Sequence, residues 1–158
     1  MSNLSPVIKS IQDVMRQDSG VDGDAQRISQ LTWLLFLKVF DALEEELEHT
    51  RDNYASPVPE HLRWRNWAAD AEGITGDELL SFVNNDLFSA MKNLPADPKR
   101  NPRGYVVRGV FEDAYNYMKS GQLLRQVINK LNGIDFNRQS ERHQFNDLYE
   151  KILRDLQS

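Results

Sequence analysis

The chain has no cysteine among its 158 residues. A disulfide scaffold, a zinc site built on thiolates and a cysteine nucleophile are therefore excluded. The three histidines and the scattered serines and acidic residues do not form a pattern that predicts a catalytic triad. A sequence without cysteine agrees with a reducing compartment, and we predict a cytoplasmic location.

A long apolar run and a surplus of basic residues are also missing. The most hydrophobic stretch, LTWLLFLKVF at 31–40, is about half as long as the roughly 20 residues that a membrane-spanning helix needs. The N-terminus has no basic segment followed by an apolar one, so neither a signal peptide nor a membrane span is predicted. The net charge is -5. A general attraction to nucleic acid is thereby excluded, and any DNA contact has to come from a local basic patch.

Clustered glycines, which a nucleotide-binding turn requires, are absent as well. The closest pairs, Gly20 with Gly23 and Gly73 with Gly76, follow no predicted strand, so we expect no cofactor site and no catalytic activity in this stretch of chain. Glu46 and His49 have the Glu-x-x-His spacing of carboxylate-bridged metal bundles. Such a site needs a second copy of the motif, so a solvated acidic helix face is the better interpretation and no metal site is predicted.

The apolar residues that are present recur at helical spacing. The fold class that they predict is all-α: a single domain over 1–158 with five to six helices around a central buried helix at about 24–50. Segment 31–40 is apolar on every side of that helix, and a helix of this kind is buried all round. Its second half, from Glu44 onward, is expected to emerge into solvent. The predicted helices span approximately 4–17, 24–50, 75–93, 104–118, 122–131 and 141–156.

Two short basic segments are candidates for contacts with nucleic acid or with a partner. Residues 98–108, PKRNPRGYVVR, contain no acidic residue, and their candidate phosphate contacts are Lys99, Arg100, Arg103 and Arg108. Residues 62–68 alternate apolar and polar side chains, which predicts one very short strand or an ordered loop. The candidate interface or stacking residues in that stretch are Arg63, Trp64, Arg65 and Trp67. A solvated loop and a pair of core tryptophans are the alternatives.

One motif within the basic stretch invites a catalytic interpretation. NPRGY at 101–105 is similar at first sight to the Asn-Pro-Pro-aromatic loop that holds a flipped adenine in amino-methyltransferases. Arg103 and Gly104 stand where that loop needs a second proline and an aromatic ring. A helix that begins at Pro102 is the simpler explanation.

Four segments follow one another in an order that resembles a known family. Together they are similar to the N-terminal helical domain of the DNA methyltransferase (modification) subunit of type I restriction–modification systems. The resemblance covers nearly the whole chain, and its LTWLLFLKVFD and LNGIDF signatures are specific when they occur in this order. The segments are DAQRISQLTWLLFLKVFDALEEE (24–46), RWRNWA (63–68), DELLSFVNNDLFSAMKNL (77–94) and VINKLNGIDFNRQSERHQFNDLYEKILRDLQ (127–157).

The resemblance implies more than the residues themselves predict. A larger Rossmann-like catalytic domain, absent from this chain, would follow and use S-adenosylmethionine to methylate adenine N6 in DNA. The whole protein would pair as two copies with one specificity subunit, and the restriction subunit is a further candidate partner. The helical domain would help to clamp DNA and to assemble the complex. The alternative is a protein–protein interaction module that does not contact nucleic acid.

Overall fold

The structure, a computed structural model, describes residues 6–135. Within this range the chain is helical, as predicted, and its one β-type pairing is an isolated bridge between Asp97 and Asn101. A 3-10 turn at Glu60–Leu62 precedes α3, and a π-helical turn at Phe82–Leu87 joins α4 to α5. The helix predicted at 141–156 lies outside the described residues. The α-helices are α1 (Pro6–Arg16), α2 (Gly23–Thr50), α3 (Trp64–Trp67), α4 (Gly76–Ser81), α5 (Phe88–Lys92), α6 (Pro102–Glu112) and α7 (Gly121–Asn132).

Helix α2 is the central element, as its sequence predicts. Every hydrophobic side chain in 31–40 is buried. Trp33 packs edge to face against Phe88 with a centroid distance of 4.9 Å, and Phe88 packs in the same way against Phe111 at 5.0 Å. Such aromatic pairs contribute about 0.5–1.5 kcal/mol beyond their burial. This cluster therefore joins α2, α5 and α6 in one core.

The burial predicted for α2 is wrong at two positions. Ile28, expected on the buried stripe, is 52% exposed. Glu44, expected in solvent, is only 1% exposed. Helical periodicity identifies the face on which a residue lies, but it cannot identify which distant segment covers that face.

The π-helical turn interrupts what the sequence predicts as one continuous helix. Leu79, Val83, Leu87 and Met91 are spaced four residues apart, and all four are 0% exposed. In an α-helix each step of four residues overshoots a full turn by about 40°, which would rotate Met91 by about 120° from Leu79. In the π turn the Phe88 N–H donates to the Val83 carbonyl five residues earlier. The wider turn rotates less per residue and keeps the four side chains on one face.

Helix α6 ends at Glu112, earlier than its sequence predicts, because distant side chains bind the backbone that follows it. The side chain of Gln30 accepts the Tyr117 N–H at 2.8 Å. Asp18, which is 3% exposed, accepts the Lys119 N–H at 3.0 Å. Backbone donors that are satisfied in this way do not need a helix.

The strand predicted at 62–68 is wrong, because a 3-10 turn and the single turn of α3 occupy this segment. Trp64 and Trp67 are 4% and 6% exposed, and their rings meet edge to face at 5.6 Å. The alternation of apolar and polar residues reflects two short helical turns that direct both tryptophans inward. The alternative prediction, an ordered segment held by its tryptophans, is closer to the structure.

Arg125 of α7 holds the loop between α3 and α4. Its side chain is buried and donates to the carbonyls of Ala68 at 3.0 Å, Trp67 at 3.0 Å and Ile74 at 2.9 Å. Burial lowers the pKa of Arg125 from its ordinary value, and the nearby charge of Asp70 opposes that shift. One guanidinium therefore satisfies several loop carbonyls that have lost contact with water.

Two glycines provide a matched test of this packing. A Cβ at Gly121 would lie 1.8 Å from the Gly76 carbonyl oxygen, whereas a Cβ at Gly109, within α6, would meet nothing within 4 Å. We expect Gly121→Ala to lower the free energy of unfolding by about 1–3 kcal/mol. Gly109→Ala should raise it by about 0.5–1 kcal/mol, because alanine favours the helix. Urea unfolding followed by circular dichroism measures both, and a Gly121→Ala variant as stable as the unsubstituted chain would contradict the packing.

Candidate nucleic-acid interface

Lys99 and Arg100 lie at the tip of a tight turn before α6, which we call the basic turn (residues 97–101). One side-chain oxygen of Asp97 accepts the backbone N–H groups of Lys99 at 2.8 Å and Arg100 at 3.2 Å. The Asp97 carbonyl accepts the Asn101 N–H at 2.8 Å. Both cations are exposed, and neither forms an ion pair with any described residue. The turn therefore holds two available positive charges on a defined backbone.

Asn101 connects the basic turn to the start of α6. Its side-chain oxygen accepts the Gly104 N–H at 3.1 Å, and its amide nitrogen donates to the Pro95 carbonyl at 3.0 Å. A Cβ at Gly104 would lie 2.4 Å from the Asn101 amide nitrogen, so the cap requires glycine there. Pro102 occupies the first turn of α6, as predicted. The free amides and the positive dipole end of the helix therefore adjoin the two exposed cations.

Arg103, predicted as part of the same basic patch, instead turns inward. Its Nε donates to Oε2 of the buried Glu44 at 2.6 Å, and its guanidinium lies 5.1 Å from the centroid of the Phe40 ring. The Tyr54 hydroxyl donates to the same carboxylate and lies 2.8 Å from each of its oxygens. Arg103 therefore ties the start of α6 to α2, and its charge is already matched by a buried carboxylate.

Arg108 lies further along α6. Its Nε is 3.4 Å from a carboxylate oxygen of Glu112, and the two side chains are 43% and 58% exposed. Exposed pairs at this helical spacing contribute about 0.3–0.5 kcal/mol, so this pair separates easily. Lys99, Arg100 and Arg108 thus remain candidate phosphate contacts, while Arg103 has an internal role.

The basic residues of the tryptophan segment are also used internally. The guanidinium of Arg65 bridges two carboxylates of α2, with Nη2 2.8 Å from both Asp41 Oδ1 and Glu48 Oε2. These hydrogen bonds raise the pKa of Arg65, and the Arg65 hydrogen bond lowers the pKa of Glu48. Arg63 donates from Nε to the Val58 carbonyl at 3.0 Å.

The two tryptophans of that segment have internal partners as well. The indole N–H of Trp64 donates to the Asn132 side chain at 2.8 Å, and that of Trp67 donates to the Leu62 carbonyl at 2.9 Å. Stacking on a nucleobase needs an exposed ring face, and both rings are buried. This geometry favours the alternative in which the tryptophans belong to the core.

Two exposed aromatic residues were missed by the sequence analysis or misplaced in it. Tyr105 is 53% exposed and Tyr115 is 63% exposed. Tyr105 stands off the apolar face predicted for α6, which was the available signal. Tyr115 was placed on that face, but the helix ends before it. In the part of the chain that the structure describes, no cluster of potential metal ligands occurs, and no helix is long and apolar enough to cross a bilayer.

The different roles of Arg103 and Arg100 predict different effects on stability. Arg103→Ala leaves the Glu44 carboxylate buried without its cation, and breaking such a pair costs about 3–5 kcal/mol. Because the Tyr54 hydrogen bond remains, we expect a loss near the lower end of that range. Arg100→Ala removes an exposed side chain and should change stability by less than about 0.5 kcal/mol. Urea unfolding tests both variants, and equal stabilities would contradict the ion-pair assignment.

The hydroxyl of Tyr54 predicts a late step in an alkaline titration. Burial, followed by the Glu44 hydrogen bond, raises the pKa of Tyr54 from its ordinary value of 10.0 to about 12. Between these values the folded chain keeps a proton that the unfolded chain has lost, so the free energy of unfolding should fall as pH rises through this window. The ultraviolet absorbance of tyrosinate should show a late component that Tyr54→Phe removes and that the control Tyr105→Phe retains. A titration unchanged by Tyr54→Phe would count against the buried contact.

Comparisons with known proteins agree with this architecture. A family model described as the HsdM N-terminal domain matches residues 4–131. The type I restriction enzyme EcoEI methylase subunit of Escherichia coli is 65% identical over 156 residues, which are 99% of this chain and 32% of that protein.

Two solved structures share the fold. A modification subunit assigned to a type I restriction enzyme of Vibrio vulnificus superposes with a TM-score of 0.81 and 38% identity, over 97% of this chain and 35% of that one. A structure solved to explain complex assembly and conformational transition of a type I restriction–modification system gives a TM-score of 0.77 and 30% identity, over 98% and 31%. The chain spans about a third of the length of these relatives. It belongs to the HsdM N-terminal domain family, the helical N-terminal domain of type I restriction–modification methylase subunits.

Proposed function

We propose that this chain is the non-catalytic N-terminal domain of a site-specific DNA adenine-N6 methyltransferase subunit, and that it helps to clamp DNA and to assemble the enzyme. The relatives are methylase and modification subunits about three times as long, which supports a catalytic domain after this one. S-adenosylmethionine would bind in that later domain. The specificity subunit, the second methyltransferase subunit and the restriction subunit are the proposed partners, in the cytoplasm where the DNA is found.

The observation that carries the DNA-clamping role is the basic turn. Lys99 and Arg100 are exposed, lack an opposing charge among residues 6–135, and adjoin the positive end of α6. Cations held at a helix N-terminus are suited to phosphate oxygens, because the backbone amides and side chains act on the same anion. The turn carries no side chain that would identify a base, so it would contribute affinity and not sequence specificity.

The overall charge sets the strength of this contact. A chain with a net charge of -5 repels DNA at long range, so two or three local cations give weak binding on their own. A domain tethered to a DNA-bound subunit needs little intrinsic affinity, because tethering raises its effective concentration to the millimolar range. The proposed domain therefore strengthens a complex that other parts of the enzyme have already formed on DNA.

Charge reversal at the basic turn tests this function in the full-length, assembled methylase. Lys99→Glu with Arg100→Glu should weaken DNA binding and lower the slope of affinity against salt concentration by about two, one for each lost phosphate contact. Arg103 is unsuitable for the test because its loss also disturbs the core. Arg108 is left unchanged because it lines a separate groove.

The matched control reverses the same number of charges elsewhere. Lys9 and Arg51 are exposed and lie outside the basic turn, so Lys9→Glu with Arg51→Glu should leave the salt slope unchanged. An equal fall in both double variants would mean that only net charge matters. An unchanged slope in the basic-turn variant would remove the clamp function and leave the protein–protein module.

A further inference from the structure

A groove of about 740 Å³ runs between α2 and α6, beside the basic turn. One wall belongs to the first half of α2, and the other wall is the outer face of α6. The residues that matter below are Ser29 and Trp33 on α2 and Tyr105, Arg108, Gly109 and Glu112 on α6. Neither the tryptophan segment nor the buried ion pairs contribute to its lining.

The large exposed hydrophobic residues of the described chain gather around this groove. Tyr105, 53% exposed, lines it directly. Ile28, 52% exposed, precedes the lining residue Ser29, and Tyr115, 63% exposed, follows the lining residue Ala114. Apolar side chains that remain exposed around one concave surface mark an interaction site.

Gly109 gives a second indication that a polypeptide approaches here. It lies within α6, where glycine costs about 0.5–1 kcal/mol relative to alanine. It has no positive φ, and a Cβ added to it would meet nothing within 4 Å. No turn and no contact among residues 6–135 explains this glycine. A second backbone that packs closely across α6 does explain it.

The described chain itself continues on the other side of α2. The Lys38 ammonium group donates to the Ile134 carbonyl at 3.1 Å, one residue before the described range ends. Lys38 is nine residues after Ser29, and at about 100° per residue the two lie on opposite faces of the helix. This geometry favours a separate polypeptide as the occupant of the groove.

The charges along α6 identify the partner, because they complement themselves when the helix is reversed. Arg108 precedes Gly109, and Glu112 and Asp113 follow it. If two copies of α6 cross antiparallel at Gly109, Arg108 of each copy approaches Glu112 of the other. Tyr105 and Asp113 are each about 6 Å along the axis from the crossing, so the Tyr105 hydroxyl comes level with the Asp113 carboxylate of the second copy. One surface thus supplies both halves of an isologous contact.

We propose that the α2–α6 groove binds a second copy of this chain, with the two α6 helices crossing antiparallel at Gly109. This inference rests on the proposed function, in which two methyltransferase subunits share one complex, and it identifies the surface through which their N-terminal domains meet. The Arg108–Glu112 pair within one copy is long and half exposed, so it is free to exchange partners. The contact surface is small, so the pairing is weak unless the copies are tethered.

Disulfide cross-linking tests the crossing point directly, because the chain has no cysteine of its own. A disulfide needs Cβ atoms about 3.5–4.5 Å apart, so Gly109→Cys should form a covalent dimer under mild oxidation. The control Gln126→Cys places a thiol on an exposed position of α7 outside the groove and should remain monomeric. Equal cross-linking of the two variants, or none at Gly109 with and without duplex DNA, would overturn the proposal.

A charge exchange distinguishes contacts between copies from the pair within one copy. Arg108→Glu and Glu112→Arg should each weaken sedimentation-measured dimerisation about tenfold or more, since like charges would face each other twice across the contact. An equimolar mixture of the two variants should restore dimerisation, because opposite charges then meet between copies while the pair within each copy stays repulsive. A mixture as weak as its components would rule out the antiparallel crossing.

These tests remain separate from the test of DNA clamping. Lys99→Glu with Arg100→Glu lies outside the groove and should leave the Gly109→Cys cross-link unchanged. A normal cross-link with an unaltered salt slope would contradict DNA clamping alone. An altered salt slope without any cross-link would contradict the pairing surface alone.

Discussion

The need to neutralise carboxylates inside a wrapped helix governs the arrangement of both irregular segments. Helix α2 is buried on all sides, and it carries Asp41 and Glu44 into that interior. A carboxylate taken out of water costs several kcal/mol unless a cation and hydrogen bonds compensate it. Arg65 and Arg103 meet this requirement from two different parts of the chain. The segments that contain these arginines are consequently fixed to α2 although they lack extended secondary structure.

The same constraint separates structural cations from available ones. In the sequence, Arg100 and Arg103 stand three residues apart and look equivalent. In the structure, Arg103 is held by a carboxylate and an aromatic ring, whereas Arg100 projects from the basic turn. The internal cation also orients the exposed one, because anchoring the start of α6 fixes the turn that precedes it. A buried acid on α2 thereby determines which positive charges can meet phosphate.

The sequence predicts those parts of the fold that depend on periodicity, and it fails where a distant partner decides. The central helix could be predicted because apolar residues on every side require burial. The end of α6 could not, since it depends on Gln30 binding the Tyr117 backbone from far along the chain. The burial of Glu44 likewise depends on Arg103 and Tyr54, which no local pattern connects to it. The basic stretch was visible in the sequence, but the division of its charges required coordinates.

The two proposed surfaces share α6, and their geometry links them. In the proposed pair, each α6 begins seven residues before its crossing point, which places the two helix starts on the order of 20 Å apart. Lys99 and Arg100 of the two copies would then reach different phosphates instead of competing for one. A second tethered contact of this kind raises apparent affinity by avidity without any change in the individual contact. A weakly basic turn on an acidic domain is therefore sufficient for a clamp, provided that it acts in two linked copies.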